Sequence, residues 1–529
     1  MPSRRPNILL VMTDQQKADT LALYGNRIVR TPALDELAAA GVVVDGHVCN
    51  YPACTPARAT VHTGRYPHTT RVRALHIHLS PREITLPQVL RAAGYRTGLV
   101  GKNHVFPDGG VGSVFRDGAL ALRDWPERLP ELHELGKELA AAGELPDRRD
   151  LFDTWFQADH FGPQGAEFAP LREFATQGWL WRSHAAVATA PFPAESCTSA
   201  VLGERAADFI RAGAGGKRPW FLWLSFPDPH NPYLAPEPYA STYAPEEVDL
   251  PPHDSLEGKP ERQRVAHRMS GMHRATEDEL RRAVAMQYGM VSFVDDGLRT
   301  ALAALRESGQ ERDTIVVFTT DHGGYVGDHG GMHKSVAFYD ALIRLPFVLS
   351  WPGTLAPRRL EHGFLEQVDL LPTLLELAEL PVPPGVQGRS AASALAGTGE
   401  LRPEAYAECG ERRDPVGLAD LPFEPDGPLD ARYFGWDGFV EGWWGQGKMI
   451  RTEEWKYCWY ANGDEELYDL AADPDELANL AAEPAQRERC SAFRDRLLAF
   501  CVETEDALPL HSWHVRLDDV LTGNFPWPD

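Results

Sequence analysis

PNILLVMTDQQ, from Pro6 to Gln16, places a short apolar run directly before polar residues. The run Ile8–Met12 is typical of a buried strand in a parallel sheet. Similar apolar runs occur at Thr97–Val100, Trp220–Phe226 and Thr314–Thr319, and polar or charged residues follow each of them. Because open α/β sheets bind ligands beyond the carboxyl ends of their strands, these polar residues are candidates for one site.

Segments with helical spacing lie between these runs, at Pro32–Ala40, Leu86–Ala93 and Glu279–Ser308. Leu345–Ser350 predicts one further strand. Strands that alternate with helices predict an α/β fold with a sheet between layers of helices.

The C-terminal part of the chain has a different pattern. GKMIRTEEWKYCWY contains strand-like runs, and a helix is expected around Gln486–Phe500. We therefore predict a catalytic α/β domain over 1–384 and a smaller, partly antiparallel α+β domain over 385–529. The segments at about 107–195 and 235–275 have weak periodicity and are predicted to be insertions over the site.

Composition narrows the classes of partner. The 529 residues carry a formal net charge of −24, which opposes binding to nucleic acid and to anionic membranes and favours a small ligand. Seven scattered cysteines do not form a disulfide framework. Ile8–Met12 is shorter than a signal-peptide core, and no apolar stretch approaches a membrane span, so we expect a cytoplasmic protein. A homo-oligomer is compatible with these features.

Two pairs of polar residues at strand ends suggest a metal site. Asp14 and Gln15 follow the first apolar run, and Asp321 and His322 follow the run that ends near Thr319. Three oxygen ligands and one nitrogen suit a single divalent cation. Each residue alone has an ordinary structural explanation, such as a helix N-cap for Asp14. A second Asp-His pair, Asp328-His329, is an alternative to Asp321-His322.

The stretch CNYPACTPARATVHTGRYPH, from Cys49 to His68, holds two cysteines close together. From the residues alone, Cys49 and Cys54 are candidates for metal ligands, half of a disulfide, buried core residues or a nucleophile. Zinc is disfavoured, because no second cysteine pair with suitable spacing exists.

Cys54-Thr-Pro-Ala-Arg58 followed by Thr63-Gly-Arg65 resembles the signature of the sulfatase family. The resemblance extends over nearly the whole chain and includes, in order, PNILLVMTDQ, GYRTGLVGKNH, PHNPY, VSFVDDGL, VVFTTDHGGYVGDHG, HKSVAFYDALIRLPFVL, VDLLPTLLELAEL and EELYDLAADPDELANL. It implies the alkaline-phosphatase-like fold, with a large mixed sheet between helices and a smaller C-terminal sheet domain.

The resemblance also implies a chemistry. Cys54 would be converted to Cα-formylglycine by a formylglycine-generating enzyme, and its gem-diol would attack the sulfur of a small sulfate ester. Residue 54 would also join the metal ligands Asp14, Gln15, Asp321 and His322. The remaining catalytic residues implied at matching positions are cationic or basic: Arg58, Lys102, His104, His230 and Lys334.

The two pairs of predicted metal ligands bear on which substrate is expected. Asp14-Gln15 with Asp321-His322 resembles relatives that hydrolyse phosphonate monoesters and phosphodiesters, and these substrates form the alternative. We expect one divalent ion. Ca2+ is placed first because oxygen ligands favour it, and Mn2+ is the alternative because imidazole favours it. A catalytically inactive binding homologue is a third reading. The aromatic residues of Tyr433–Gly447 would form either a pocket wall or part of the C-terminal core.

Overall fold

The computed structural model of the chain describes a large part of the sequence. The described residues are 5–75, 77, 79–80, 83–106, 151–160, 162–176, 185–253, 256–335, 337–410 and 445–505. All of the predicted catalytic and metal-binding residues lie within these ranges.

Eighteen strands are found among the described residues. In chain order they are β1 Asn7–Thr13, β2 Val42–Val44, β3 His47–Val48, β4 Arg96–Gly101, β5 Thr154–Asp159, β6 Gly162–Pro163, β7 Val187–Ala190, β8 Trp220–Ser225, β9 Tyr233–Pro236, β10 Thr314–Thr320, β11 Arg344–Leu345, β12 Val348–Ser350, β13 Arg358–Leu360, β14 Leu365–Glu366, β15 Ala405–Cys409, β16 Gly447–Arg451, β17 Trp455–Tyr460 and β18 Glu465–Asp469.

The described α-helices are interspersed with short 3-10 turns. They are α1 Pro32–Ala39, α2 Cys54–Thr63, α3 Pro67–Thr70, α4 Leu86–Ala92, α5 Ala169–Ala175, α6 Thr198–Gly213, α7 Glu261–Met269, α8 Glu277–Glu307, α9 Asp340–Ile343, α10 Leu370–Leu377, α11 Ala392–Ala396 and α12 Arg487–Glu505. Within the described ranges, none of these helices combines the length and hydrophobicity needed to cross a bilayer.

A nine-stranded sheet forms the centre of the molecule, in the order β13-β2-β12-β10-β1-β8-β4-β5-β6. Strands β10, β1, β8, β4 and β5 are parallel, whereas β12 is antiparallel to both of its neighbours and β6 is antiparallel to β5. The large mixed sheet predicted above is therefore confirmed.

Alternate side chains of β1 enter two separate cores. Leu9 and Val11 pack in a cluster with residues of α6 and α8 on one face. Ile8, Leu10 and Met12 pack on the other face with residues of α2, α4 and α10. Burial of both faces explains why the strand is apolar throughout rather than alternating.

The C-terminal part contains a four-stranded antiparallel sheet, β15-β16-β17-β18, as expected. One face packs on α12, through Ile450, Leu467 and Phe493. The other face joins a cluster that contains Met449 and Cys54. The second sheet therefore supports the start of α2.

Two observations differ from the expectations. Leu345–Ser350 is not one strand, because β11 and β12 are separated at Pro346, which has no N–H to donate to a sheet. In addition, β5 lies within the stretch predicted as an insertion, yet it pairs in parallel with β4 and extends the large sheet.

Candidate active site

The parallel strands bring four candidate residues to one edge of the large sheet. Asp14 follows β1, Asp321 follows β10 and Lys102 follows β4, while His230 lies in the loop after β8. Because these strands are neighbours in the order β10-β1-β8-β4, their carboxyl ends meet. The placement is the one that open α/β sheets use for ligand sites.

Cys54 is the first residue of α2 and is fully buried. Its Sγ lies 3.1 Å from Nε2 of His322, and it is 3.5 Å from both Oδ1 of Asp14 and Nζ of Lys334. The partly positive N-terminus of the helix adds a favourable field for negative charge at this residue.

Cys49 has a different environment. Its thiol donates to the carbonyl of Tyr51 at 2.8 Å and lies 3.2 Å from the carbonyl of Asp321. All seven cysteines are free thiols. Of the alternatives left open above, Cys49 is a buried structural residue, and only Cys54 reaches the polar cluster.

A compact group of ligand atoms surrounds Cys54. One atom each from Asp14, Cys54, Asp321 and His322 lies within 4.8 Å of the others, and all four residues are buried. Nδ1 of His322 is 2.7 Å from the carbonyl of Gly323, to which it donates its hydrogen. The lone pair of Nε2 is therefore directed into the group, as in metal-binding histidines.

Gln15 adjoins the group through its backbone. Its backbone N–H donates to Oδ1 of Asp321 at 3.1 Å, and the residue adopts a left-handed φ of 57°. Its Oε1 is buried and has no hydrogen-bond partner among the described residues. A buried amide oxygen without a partner is costly unless a ligand occupies it, so the donor set fits a divalent cation.

Arg58 bridges the two carboxylates. Its Nη2 is 3.0 Å from Oδ2 of Asp14 and its Nε is 2.7 Å from Oδ2 of Asp321. Nη1 donates to Oγ of Ser225 at 2.7 Å. The guanidinium, which is fully buried, therefore fixes the separation of the carboxylates.

Two lysines flank the cluster, each paired with a histidine. Lys102 contacts Oδ2 of Asp14, and its Nζ lies 2.8 Å from Nε2 of His160. Nζ of Lys334 lies 3.1 Å from Nε2 of His230. With Arg58, these lysines place three cationic side chains beside two carboxylates, which favours an anionic ligand.

His104 lies at the margin of this group. It adopts a left-handed φ of 54°, and its ring meets that of His160 edge-on with centroids 6.4 Å apart. The described contacts place it beside the Lys102 pair rather than against Cys54.

Burial and charge set the protonation states. Burial by itself would raise the pKa of Asp14, but Lys102 and Arg58 hold it well below its usual range. Burial and the nearby Asp14 raise the pKa of Asp321 to about 6. Asp14 is thus the stronger acid of the pair.

The soft ligands are neutral. Burial and the adjacent Lys334 lower the pKa of His322 well below its usual value, so the imidazole is neutral and able to bind a metal. Burial and the Asp14 carboxylate raise the pKa of the Cys54 thiol. An unmodified thiol here is protonated and a poor nucleophile.

Sequence reasoning missed His160, which follows β5 directly and reaches Lys102. The signal was weak, because TWFQAD mixes polar with apolar residues and does not stand out as a strand that ends before His160. The alternative pair, Asp328-His329, lies outside the cluster: Asp328 accepts from Nζ of Lys17 at 2.7 Å, and His329 stacks on Tyr339. That alternative is therefore wrong.

The predicted aromatic pocket wall, Tyr433–Gly447, lies mostly outside the described residues, as does the segment 107–150. Its two interpretations remain predictions.

Comparison with known proteins identifies the family of the chain. The sulfatase family model matches residues 6–380. The multifunctional alkaline phosphatase superfamily protein PehA of Trinickia caryophylli is 28% identical over 536 residues, covering 96% of this chain and 97% of the relative. An arylsulfatase of Clostridium perfringens is 27% identical over 509 residues, covering 93% of this chain and 94% of the relative.

Among solved structures, the phosphonate monoester hydrolase of Agrobacterium radiobacter matches with a TM-score of 0.73 at 25% identity, covering 94% of this chain and 96% of that one. The architecture is thus the alkaline-phosphatase-like fold. Because the family model matches well over half of the sequence, the chain belongs to the sulfatase family. It is a hydrolase of that family, and membership implies a metal and a formylglycine residue.

Proposed function

We propose that this protein hydrolyses sulfate monoesters of small aryl, alkyl or carbohydrate alcohols. One observation carries the proposal: Cys54 is the first residue of a helix and lies in a buried cluster, where its Sγ is within 3.5 Å of side-chain atoms of His322, Asp14 and Lys334. That arrangement combines a nucleophile position, a metal-ligand set and anion-binding cations within hydrogen-bonding distances.

The nucleophile is proposed to be formylglycine made from Cys54 by a formylglycine-generating enzyme. The raised pKa of the buried thiol supports this proposal, because cysteine itself would be unreactive there. The modified residue would supply a hydrated aldehyde. One hydroxyl would attack the sulfur and displace the alcohol of the ester, and the other would then lose its proton and expel sulfate by reforming the aldehyde.

The metal is proposed to be Ca2+, with Mn2+ as the alternative, held by Asp14, Gln15, Asp321, His322 and residue 54. Two carboxylates and the orphaned amide oxygen of Gln15 support the harder ion, and His322 supports the alternative. A divalent ion there would stabilise negative charge on the nucleophile and on the ester oxygens.

The chain's own cations perform the remaining tasks. Lys102 and Lys334 attract the ester anion and offset its repulsion toward an anionic nucleophile, while Arg58 keeps Asp14 and Asp321 in place. Lys334 and His230 form a hydrogen-bonded pair beside Cys54, positioned to stabilise the departing oxygen.

Hydrolysis of phosphonate monoesters or phosphodiesters is the second candidate. The likeness to the phosphonate monoester hydrolase structure supports it, as does the Asp14-Gln15 and Asp321-His322 ligand set. Sulfate monoesters, phosphonate monoesters and phosphodiesters are all monoanions at neutral pH. Phosphate monoesters are dianions and are expected to react more slowly.

The test compares kcat/KM for an aryl sulfate, an aryl phenylphosphonate and an aryl phosphate with the same leaving group. The proposal predicts that sulfate exceeds phosphonate by more than about tenfold, or about 1.4 kcal/mol in barrier. The reverse order would reassign the protein to the second candidate, and phosphate in first place would contradict both.

A control distinguishes an enzyme from an inactive binding homologue. Cys54→Ala should fold and melt like the wild type yet hydrolyse none of the three esters. Equal hydrolysis by the wild type and Cys54→Ala would show that the activity does not arise at this site.

A further inference from the structure

His160 lies outside every motif that defines the site, but it contacts two of the site's side chains, Lys102 and His230. It follows β5 at the same edge of the sheet as Lys102, because β4 and β5 pair in parallel. Its Nε2 is 2.8 Å from Nζ of Lys102. Its ring stacks on His230 with centroids 3.8 Å apart and planes inclined by 22°.

The hydrogen bond with Lys102 has one chemically consistent direction. An ammonium group has three hydrogens and no acceptor, so Nε2 of His160 must accept. His160 is therefore neutral and carries its hydrogen on Nδ1. Burial, together with the nearby Lys102, lowers its pKa well below the usual value, in agreement with this assignment.

The stacked partner also accepts from a lysine, but its Nδ1 has an acceptor, whereas Nδ1 of His160 has no hydrogen-bond partner among the described residues. Nε2 of His230 is 3.1 Å from Nζ of Lys334, and Nδ1 of His230 donates to the carbonyl of Asn231 at 2.6 Å. Two neutral imidazoles thus lie face to face, and each accepts a hydrogen bond from one lysine. Stacking of neutral rings is favourable, whereas two imidazolium ions at this distance would repel.

This arrangement orients Lys102. Among the described residues, its ammonium donates to Asp14 and to His160. Two of its three hydrogens are thereby fixed, and the direction of the third follows from the geometry of the group. We infer that His160 is a positioning residue. Together with Asp14 it fixes the ammonium of Lys102 so that the third N–H faces the substrate anion, and its ring supports that of His230, which accepts from Lys334.

The inference rests on the proposed function for its catalytic consequence, but anion binding tests it separately. Two variants divide the roles of the side chain. His160→Gln keeps an acceptor for Lys102 and loses the ring, whereas His160→Phe keeps a stacking ring and loses the acceptor. His362→Phe and His362→Gln, at an exposed site paired with Glu453, are the matched controls.

The measurements are the affinity for inorganic sulfate by calorimetry, kcat and KM for the aryl sulfate, metal content and melting temperature. Loss of a hydrogen bond to a charged group predicts that His160→Phe weakens sulfate binding and lowers kcat/KM by about tenfold or more. His160→Gln should recover most of both losses. Metal content and melting temperature should stay within the range of the His362 controls.

The possible outcomes distinguish failure of the inference from failure of the proposed function. Sulfate binding that depends on His160 as predicted, in a protein that hydrolyses no ester, would support the inference and contradict the proposed function. Ester hydrolysis that is unaffected by His160→Phe would support the proposed function and contradict the inference. Equal impairment of both variants, loss of metal in either one, or no sulfate binding by the wild type would overturn the inference.

Discussion

Arg58 holds the two carboxylates of the proposed metal centre with one rigid side chain, and the centre depends on that geometry. Lysine has a single charged nitrogen and cannot bridge Asp14 and Asp321 in the same way. Arg58 also belongs to the Cys54–Arg58 motif, which resembles the sulfatase signature that contains the cysteine converted to formylglycine. Substitution therefore affects stability, metal binding and conversion of Cys54 together.

We expect Arg58→Lys to lower the free energy of unfolding by about 3 kcal/mol, because a buried carboxylate loses its partner. Urea denaturation and metal analysis measure the effect, and peptide mass spectrometry shows whether residue 54 is still converted. Arg281→Lys, in an exposed pair with Glu277, should change the unfolding free energy by less than about 0.5 kcal/mol. Equal effects of the two substitutions would contradict the bridging role.

The space beside Gln15 gives a second prediction at the residue scale. A Cβ at Gly324 would lie 2.9 Å from Cγ of Gln15, so Gly324→Ala should displace the amide oxygen from the cluster. We expect weaker retention of metal on dialysis with little change in melting temperature. Gly216→Ala is the control, since it is exposed, lies away from the site and outside the left-handed region, and a Cβ there meets only the carbonyl of Gly213, at 3.1 Å. Full metal retention by Gly324→Ala would show that Gln15 is not a ligand.

At the scale of elements, long apolar strands could be predicted from the sequence because both faces are buried. β1 and β10 are apolar until the residues that enter the site, so their ends and Asp14 and Asp321 were identified together. β5 was missed because it lies near the end of the sheet and TWFQAD mixes polar with apolar residues. His160 was missed with it.

Side-chain partners across elements could not be predicted. Nothing local to Asp340 indicates that it begins α9 and accepts from Arg451 of β16 and Lys456 of β17. Lys456 also pairs with Glu476 at 2.6 Å. These ionic contacts join the C-terminal sheet to the start of α9. They depend on tertiary packing alone.

We expect Asp340→Asn to destabilise the protein by about 3 kcal/mol at neutral pH, because Arg451 loses a buried partner and Lys456 keeps only Glu476. Burial would raise the pKa of Asp340, but Arg451 and Lys456 hold it well below its usual range. A depressed pKa stabilises the folded state above the unfolded value of about 4 and ceases to do so as the pH falls. The difference between wild type and variant, measured by urea unfolding, should therefore shrink below about pH 4. A difference that stays constant down to pH 3 would contradict this account.

At the scale of the whole molecule, the net charge of −24 contrasts with a site that carries Arg58, Lys102 and Lys334. An anionic ester is repelled at long range and attracted at short range. Salt screens charges separated by more than roughly 10 Å but affects buried contacts much less. Varying the ionic strength therefore separates the long-range repulsion from the short-range attraction.

We expect kcat/KM for an aryl sulfate to rise about twofold between low and physiological ionic strength, because repulsion by the acidic surface is screened. The kcat at saturation should not change, which serves as the internal control. A fall in kcat/KM with added salt would show that the local positive field, rather than the net charge, governs encounter.

Residue 54 is proposed to act as formylglycine in this sulfatase-family hydrolase. Mass spectrometry of the peptide that contains residue 54, from protein with measured hydrolase activity, examines this proposal at the reacting atom. We expect the mass of an aldehyde in place of the thiol, with activity proportional to the converted fraction across preparations. Full activity in a preparation that contains only the unmodified Cys54 thiol would contradict it.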